Sequence, residues 1–390
     1  MTIKILSIEH LEVGMYITAY EQQDEHAAKL KQQGLVSKQA TIDELKSLGI
    51  KEVCIDPSKG ADSSFGMPVA AKQPPQKPET TVSLADERGR AEKIHSAAKD
   101  LIKNVMSDVK NGRPLDTLPV DEMAASMVQS LKRNQYALAC LTRIREKDQY
   151  LLEHSVNVSI LMGILARSMG FDDDTLHQLV SGALLHDIGK IRIADEILHK
   201  PGELKPEEWS EMKNHVYYGM EVLVAIEDIS AIALAICGQH HEKLNGEGYP
   251  EGLTDRQITV YGKMAAIVDV YDAVTAHRCY HEAMPPPLAM KNLVKWSGDH
   301  LDRNLVYQFI RAMSIYPVGS LLELESGKLG VVVENNPAQP DKPVMNVFYN
   351  MKHRRYEPVE QIDLGKARCT EVIKRSIDPD KMNINIADFI

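Results

Sequence analysis

The stretch DDTLHQLVSGALLHDIGK, residues 173–190, decides how the chain is read. Leu176, Leu179, Val180, Ala183 and Leu184 recur at the three- and four-residue spacing of one helix face. Asp187 continues that stripe, four residues after Ala183 and seven after Val180. A carboxylate is thus aimed inward, where an isolated ionised group is costly unless a cation, a metal or a dense set of hydrogen bonds meets it. The plain alternative is a helix end, with His186 and Asp187 in its last turn and Gly189 as a left-handed cap. An aspartate there opposes the helix dipole, which weakens that alternative.

The pattern recurs in neighbouring segments. In YLLEHSVNVSILMGILARSMG, His154 shares a face with Leu151, Val158, Leu161, Met162 and Leu165. His215 in WSEMKNHVYYGMEVL lies in line with Met212, Gly219 and Val222, and Asp269 in GKMAAIVDVYDAVTAH sits among Gly262, Ala265, Ala266, Ala273 and Ala276. The segment HHEKLNGEGYP, residues 240–250, adds adjacent imidazoles, His240 and His241, before a glycine-rich turn. Each histidine alone reads as a satisfied core residue. Five imidazoles and two carboxylates on or beside core-facing surfaces would all have to be satisfied by coincidence.

The rest of the chain frames this region. Its 390 residues, 44% hydrophobic, suffice for two or three domains. A net charge of −10 without a basic stripe argues against sequence-independent nucleic-acid binding, so DNA is not expected as a partner. Cys54, Cys140, Cys237, Cys279 and Cys369 lie far apart and fit reduced thiols of a cytoplasmic protein. No apolar stretch approaches the ~20 residues of a membrane span, and the N-terminus lacks a secretion signal.

Residues 1–57 alternate strand-like pieces (IKILSI, MYITAY, KEVCID) with a helix at TIDELKSLG, where Thr41 and Glu44 have capping-box spacing, so a small α+β module is expected. Residues 58–87 read as a Pro-, Ser- and Lys-rich flexible linker. Helical periodicity then runs through connecting helices over 88–130 and a large domain over 131–315. Residues 316–390 show alternating β-branched stretches with Ser-Gly and Asn-Asn-Pro turn signals, which predict an antiparallel β appendage. The fold class is mainly α.

Neutral imidazoles and carboxylates suit first-row ions such as Fe, Mn, Zn or Ni, and no thiolate cluster suggests structural zinc. An aspartate beside a histidine could bridge two ions. Such a pair, roughly 3.5–4 Å apart, lowers the pKa of a shared water and clamps the attacking and leaving oxygens of a phosphoryl displacement.

His154, His186-Asp187 within HDIGK, His215, His240-His241, NGEGYP and Asp269 within DVYDA, taken in this order, resemble the HD-GYP family of the HD-domain phosphohydrolases. The resemblance covers roughly residues 130–315. It implies an all-helical domain whose metal centre hydrolyses cyclic di-GMP to pGpG or GMP in bacterial signalling. Residues 1–57 and the helices after them also resemble the domain of unknown function that precedes such domains in many bacterial proteins.

Carried over residue by residue, the family pattern gives His154, His186, Asp187 and Asp269 to one metal. It gives Asp187 again, with His215, His240 and His241, to a second. Fe or Mn is the expected pair, with Ni or Zn as alternatives. Lys190 is expected at the scissile phosphate and Arg278 at a guanine or phosphate. Gly248, Tyr249 and Pro250, with Gly246, are expected to form a rigid loop beside the metals.

Two positions depart from the pattern. Tyr150 stands where some members carry a glutamate for a third metal, so two metals are expected. The family's Arg-Pro-Tyr-Arg or Lys signature reads Arg278-Cys279-Tyr280-His281 here. Other functions left open are a non-catalytic sensor or interaction module, and a phosphohydrolase acting on another nucleotide. A homodimer or a signalling-protein partner is compatible with all of them.

Overall fold

The computed structural model describes residues 3–20, 34–47, 50, 52–68, 80–143, 150–276, 283–336, 338–382 and 384–390. The N-terminal part is a five-stranded antiparallel sheet of order β3-β2-β4-β1-β5, made of β1 (Lys4–Ser7), β2 (Tyr16–Tyr20), β3 (Gly34–Leu35), β4 (Glu52–Ile55) and β5 (Met67–Pro68). Alternation of apolar side chains gives this sheet its own core, in which Leu6, Met15, Ile17, Val53 and Ile55 meet Ile42 and Leu45 of α1 (Gln39–Ser47). The helix begins two residues before Thr41, so Thr41 lies inside the first turn and is not the cap its spacing suggests.

The stretch read as linker contains ordered structure at both ends. Strand β5 pairs with β1 through Ile5–Met67, and the first long helix, α2 (Leu84–Lys110), is capped by Ser83, whose hydroxyl accepts from the Asp86 N–H. Proline and serine in 58–87 therefore mark a turn, an edge strand and a cap as well as a connection. Residues 69–79 lie outside the described residues.

Helices α2, α3 (Leu118–Leu141), α4 (Tyr150–Ser168) and α5 (Asp173–Leu185) pack in sequence around a buried core that includes Ile102, Met127, Leu131, Ile160, Leu161 and Leu179. Two short helices, α6 (Asp195–Leu198) and α7 (Pro206–Lys213), lead to α8 (His215–Val224) and α9 (Ala231–Gln239). Then come α10 (Val260–Thr275), α11 (Pro286–Trp296) and α12 (Arg303–Met313). α10 touches α4 and α9, which places its Asp269 at the meeting point of three helices.

The C-terminal sheet has order β10-β6-β7-β8-β9, from β6 (Leu321–Leu324), β7 (Lys328–Glu334), β8 (Val344–Asn350), β9 (Arg355–Asp363) and β10 (Ile373–Ile377). Gly327, at φ +88°, turns β6 into β7 as the Ser-Gly signal predicts. Leu322, Leu324, Val332 and Met345 belong to the same core as the helices, so this sheet closes the helical domain on one side. No helix among the described residues is long and apolar enough to cross a membrane.

Candidate metal centre

Ends of helices bring the polar residues together. His186 follows the last residue of α5, and Asp187 opens a 3-10 turn over Ile188–Arg192. His215 is the first residue of α8, His240 follows α9, and His154 and Asp269 project from within α4 and α10. His154, His186, Asp187, His215, His240 and Asp269 are all buried. His241 is more open, with its side chain 22% exposed.

Their atoms form two interlocking groups. Asp187, His215, His240 and His241 each offer a ligand atom within 4.8 Å of the others, and so do His154, His186 and Asp269. Asp187 lies between the groups: its Oδ1 is 3.4 Å from His215 Nε2 and 3.7 Å from His240 Nε2, while its Oδ2 is 3.4 Å from both His154 Nε2 and His186 Nε2. Asp269 reaches His154 Nε2 at 3.0 Å with Oδ1 and His241 Nδ1 at 3.6 Å with Oδ2.

The outer ring nitrogens explain the orientation. Nδ1 of His186, His215 and His240 donates to the carbonyls of Ala183, Met212 and Cys237, at 2.7, 2.7 and 2.8 Å. Each carbonyl belongs to the last turn of a helix, where oxygens lack intrahelical partners. A ring nitrogen facing a carbonyl must carry the proton, which leaves the Nε2 lone pair pointing at the cluster. His154 lies inside a helix, where no such carbonyl is free, and its Nδ1 donates instead to Asp272 Oδ2 at 2.8 Å.

The electrostatics fit a divalent cation. Burial pushes His186 down to about 4 and His215 to about 3, so both are neutral ligands at pH 7. Burial would raise Asp187, but Lys190 with His186, His215 and His154 holds it well below its usual range. Burial likewise works against Asp269, which His154 and His241 keep ionised. Two atoms at the centre, His186 Nε2 and Asp187 Oδ1, are buried without a hydrogen-bond partner. Buried carboxylates and orphaned lone pairs converging on one point are the donor set that divalent first-row metals take.

Lys190 Nζ, with a side chain 16% exposed, is hydrogen-bonded to Asp187 Oδ2. Its ammonium therefore stands at the edge of the cluster. Arg278 and His281 lie outside the described residues, as does the side chain of Tyr150.

Known proteins and families resemble this chain along most of its length. The family description "HD domain" matches residues 138–305, "Domain of unknown function (DUF3391)" matches 3–120, and "KOW domain associated with HD domain" matches 321–385. A cyclic di-GMP phosphodiesterase of Pseudomonas aeruginosa is 35% identical over 345 residues, 87% of this chain and 83% of that protein. The chain belongs to the HD-GYP family. A 3'3'-cGAMP-specific phosphodiesterase of Vibrio cholerae is 36% identical over 39% of this chain and 30% of its own. A cyclic di-GMP phosphodiesterase of Thermotoga maritima is 35% identical over 42% of this chain and 45% of its own. The chain thus spans less than half the length of these two relatives.

The HD-GYP loop is built around a residue the sequence reading passes over. Glu242 is buried and accepts the N–H groups of Glu251, Gly252 and Leu253 at 2.8, 3.1 and 2.9 Å, closing the loop on itself. Within it Gly246 adopts φ +80°, and a Cβ on Gly248 would lie 2.4 Å from Lys243 N. The Tyr249 N–H donates to the His241 carbonyl at 3.2 Å, and its ring lies 4.6 Å from the His241 ring, tilted by 31°. Pro250 follows through a cis peptide bond.

Gly189 is likewise fixed by a close approach. It has no positive φ and is not a left-handed cap; instead a Cβ there would lie 2.0 Å from the His215 carbonyl oxygen and 2.3 Å from Gly219 N. Replacing Gly189 with Ala therefore forces the 3-10 turn away from α8. An overpacking cost of roughly 1–3 kcal/mol or more is expected, with a lower unfolding midpoint and reduced metal content. A midpoint equal to wild type would show that the backbones part without penalty.

Asp272 is the second residue passed over; its i+3 spacing from the inward Asp269 was the available signal. Replacing Asp272 with Asn removes the charge that orients and polarises His154. Metal affinity at the His154 group should fall about 10- to 100-fold, measured by chelator competition. Unchanged affinity would leave Asp272 a structural partner only.

Proposed function

We propose that the protein hydrolyses cyclic di-GMP to pGpG or GMP with two divalent ions, Fe or Mn ahead of Ni or Zn. The observation that carries this reading is Asp187, whose two oxygens face separate sets of imidazoles. His154, His186, Asp187 and Asp269 would hold one ion, and Asp187, His215, His240 and His241 the other. Bound there, the ions supply Lewis-acid charge and make a water nucleophile available near neutral pH.

The protein's own groups do the rest. The i−3 carbonyls and Asp272 keep four of the imidazoles, His186, His215, His240 and His154, in one tautomer, and burial of these four keeps bulk water from competing around them. Lys190 offers a positive charge at the edge of the cluster for a phosphate oxygen, and Arg278 a bidentate fork for guanine or phosphate. Gly248, Tyr249 and Pro250 wall the side where His241 is accessible. A complete set of donors with Lys190 in place speaks against a purely non-catalytic sensor.

The test is to load the purified protein with Fe, Mn, Ni or Zn and to analyse both metal content and products. Content should plateau near two ions per chain, and cyclic di-GMP should be cut to pGpG or GMP. A plateau at three would mean that another side chain stands in for the glutamate absent at Tyr150. Cleavage of 3'3'-cGAMP with cyclic di-GMP left intact would move the substrate to the former.

A further inference from the structure

The rim of the metal cluster carries aromatic surface that core packing does not explain. Trp209 on α7 is 48% exposed and Tyr217 on α8 is 46% exposed. A single exposed apolar side chain is ordinary, but a group of them beside a site marks a binding surface. The Trp209 ring stands edge-on to Tyr249 at 6.2 Å and 83°, and Tyr249 in turn lies on His241. One ring therefore separates the indole from a member of the cluster.

This placement is held firmly. Lys205 N donates to Glu208 Oε2 at 2.7 Å, and Pro206 starts the helix, so α7 enters at a fixed angle. Lys213, one turn beyond Trp209, has its ammonium 6.0 Å from the centre of the Tyr249 ring. The Tyr217 hydroxyl reaches the Pro250 carbonyl oxygen at 3.4 Å and Glu251 Oε1 at 3.2 Å, tying the same loop down from α8. The outer part of the indole is left to solvent beside a cation and next to the cluster.

We propose that Trp209 is a base-stacking residue: one purine of the cyclic dinucleotide lies against the indole while the linked phosphate sits at Lys190. This rests on the phosphodiesterase reading above. Stacking uses the π-face that every base presents, so the residue contributes affinity without distinguishing guanine from adenine. Discrimination between the two would fall to groups that hydrogen-bond the base edge.

The experiment compares wild type, Trp209→Ala and Trp209→Phe, all metal-loaded, on cyclic di-GMP and 3'3'-cGAMP. Trp209→Ala should raise KM about ten- to 100-fold for each substrate that wild type cleaves, with kcat and metal content retained, and Trp209→Phe should recover most of the loss. The chain has two tryptophans, so a Trp296→Phe background isolates Trp209 emission, which cyclic di-GMP should quench on stopped-flow mixing before turnover. Unchanged KM in Trp209→Ala without quenching, beside an active wild type, overturns the stacking role and leaves the phosphodiesterase standing. A joint loss of kcat and metal at constant KM also overturns it, showing that Trp209 only supports His215. If wild type neither binds nor cleaves either dinucleotide, the functional reading fails and the stacking role falls with it.

Discussion

Asp187→Ala is expected to lose both metal ions and at least about 10³-fold in kcat on cyclic di-GMP. The carboxylate faces His215 and His240 with one oxygen and His154 and His186 with the other, so its removal strips a ligand from each group at once. It also removes the negative charge that would let two cations sit close together. Metal catalysis of this kind supplies several kcal/mol of transition-state stabilisation, and each 1.36 kcal/mol is tenfold in rate. Asp187→Asn keeps the volume and should behave nearly as badly. Elemental analysis beside product chromatography checks both; two bound metals with near wild-type turnover in either variant would remove Asp187 as the bridge.

Lys190→Ala should separate what Asp187→Ala joins. No metal-ligand position is lost, so metal content should stay at the wild-type level while kcat falls about 30-fold to 10³-fold, the usual worth of a charge-assisted contact made at a developing negative charge. The ammonium is hydrogen-bonded to Asp187, so the plain alternative is a buried ion pair that merely balances that carboxylate. The two differ in readout. A structural partner would change metal affinity and stability, whereas a phosphate-binding group changes kcat at full metal occupancy. Normal turnover in fully loaded Lys190→Ala would leave only the ion pair.

Much of this arrangement was legible because burial and periodicity act on single helices. The Leu176 to Leu184 stripe points where it should, and Asp187 is buried as its extrapolation implied. The extrapolation misjudged the element, since α5 stops at Leu185 and a 3-10 turn carries Asp187 inward. Gly189 illustrates the reason: its role is set by the His215 carbonyl across a helix interface, and such a contact leaves no trace in local spacing. Glu242 shows the same cause, because its partners are main-chain amides nine to eleven residues away, whereas Asp272 had its spacing from Asp269 as a signal but its partner His154 lies on a helix far away in sequence. The proline-rich stretch hid β5, whose pairing with β1 depends on a strand more than sixty residues earlier.

The habit of tying an imidazole to a carbonyl three residues back has a consequence for how this domain tolerates change in length. His186, His215 and His240 are aimed by the last turns of α5, α7 and α9, so each ligand and its support move as one piece. Adding or deleting a residue between a helix's packed face and its last turn would swing the ligand by about 100° about the axis, carrying its support with it and leaving the imidazole intact but misdirected. A length change in the connection over 225–230 would disturb neither the tie nor the aim. Insertions in homologous chains should therefore collect between the helices and be absent from the half-turns that precede these histidines.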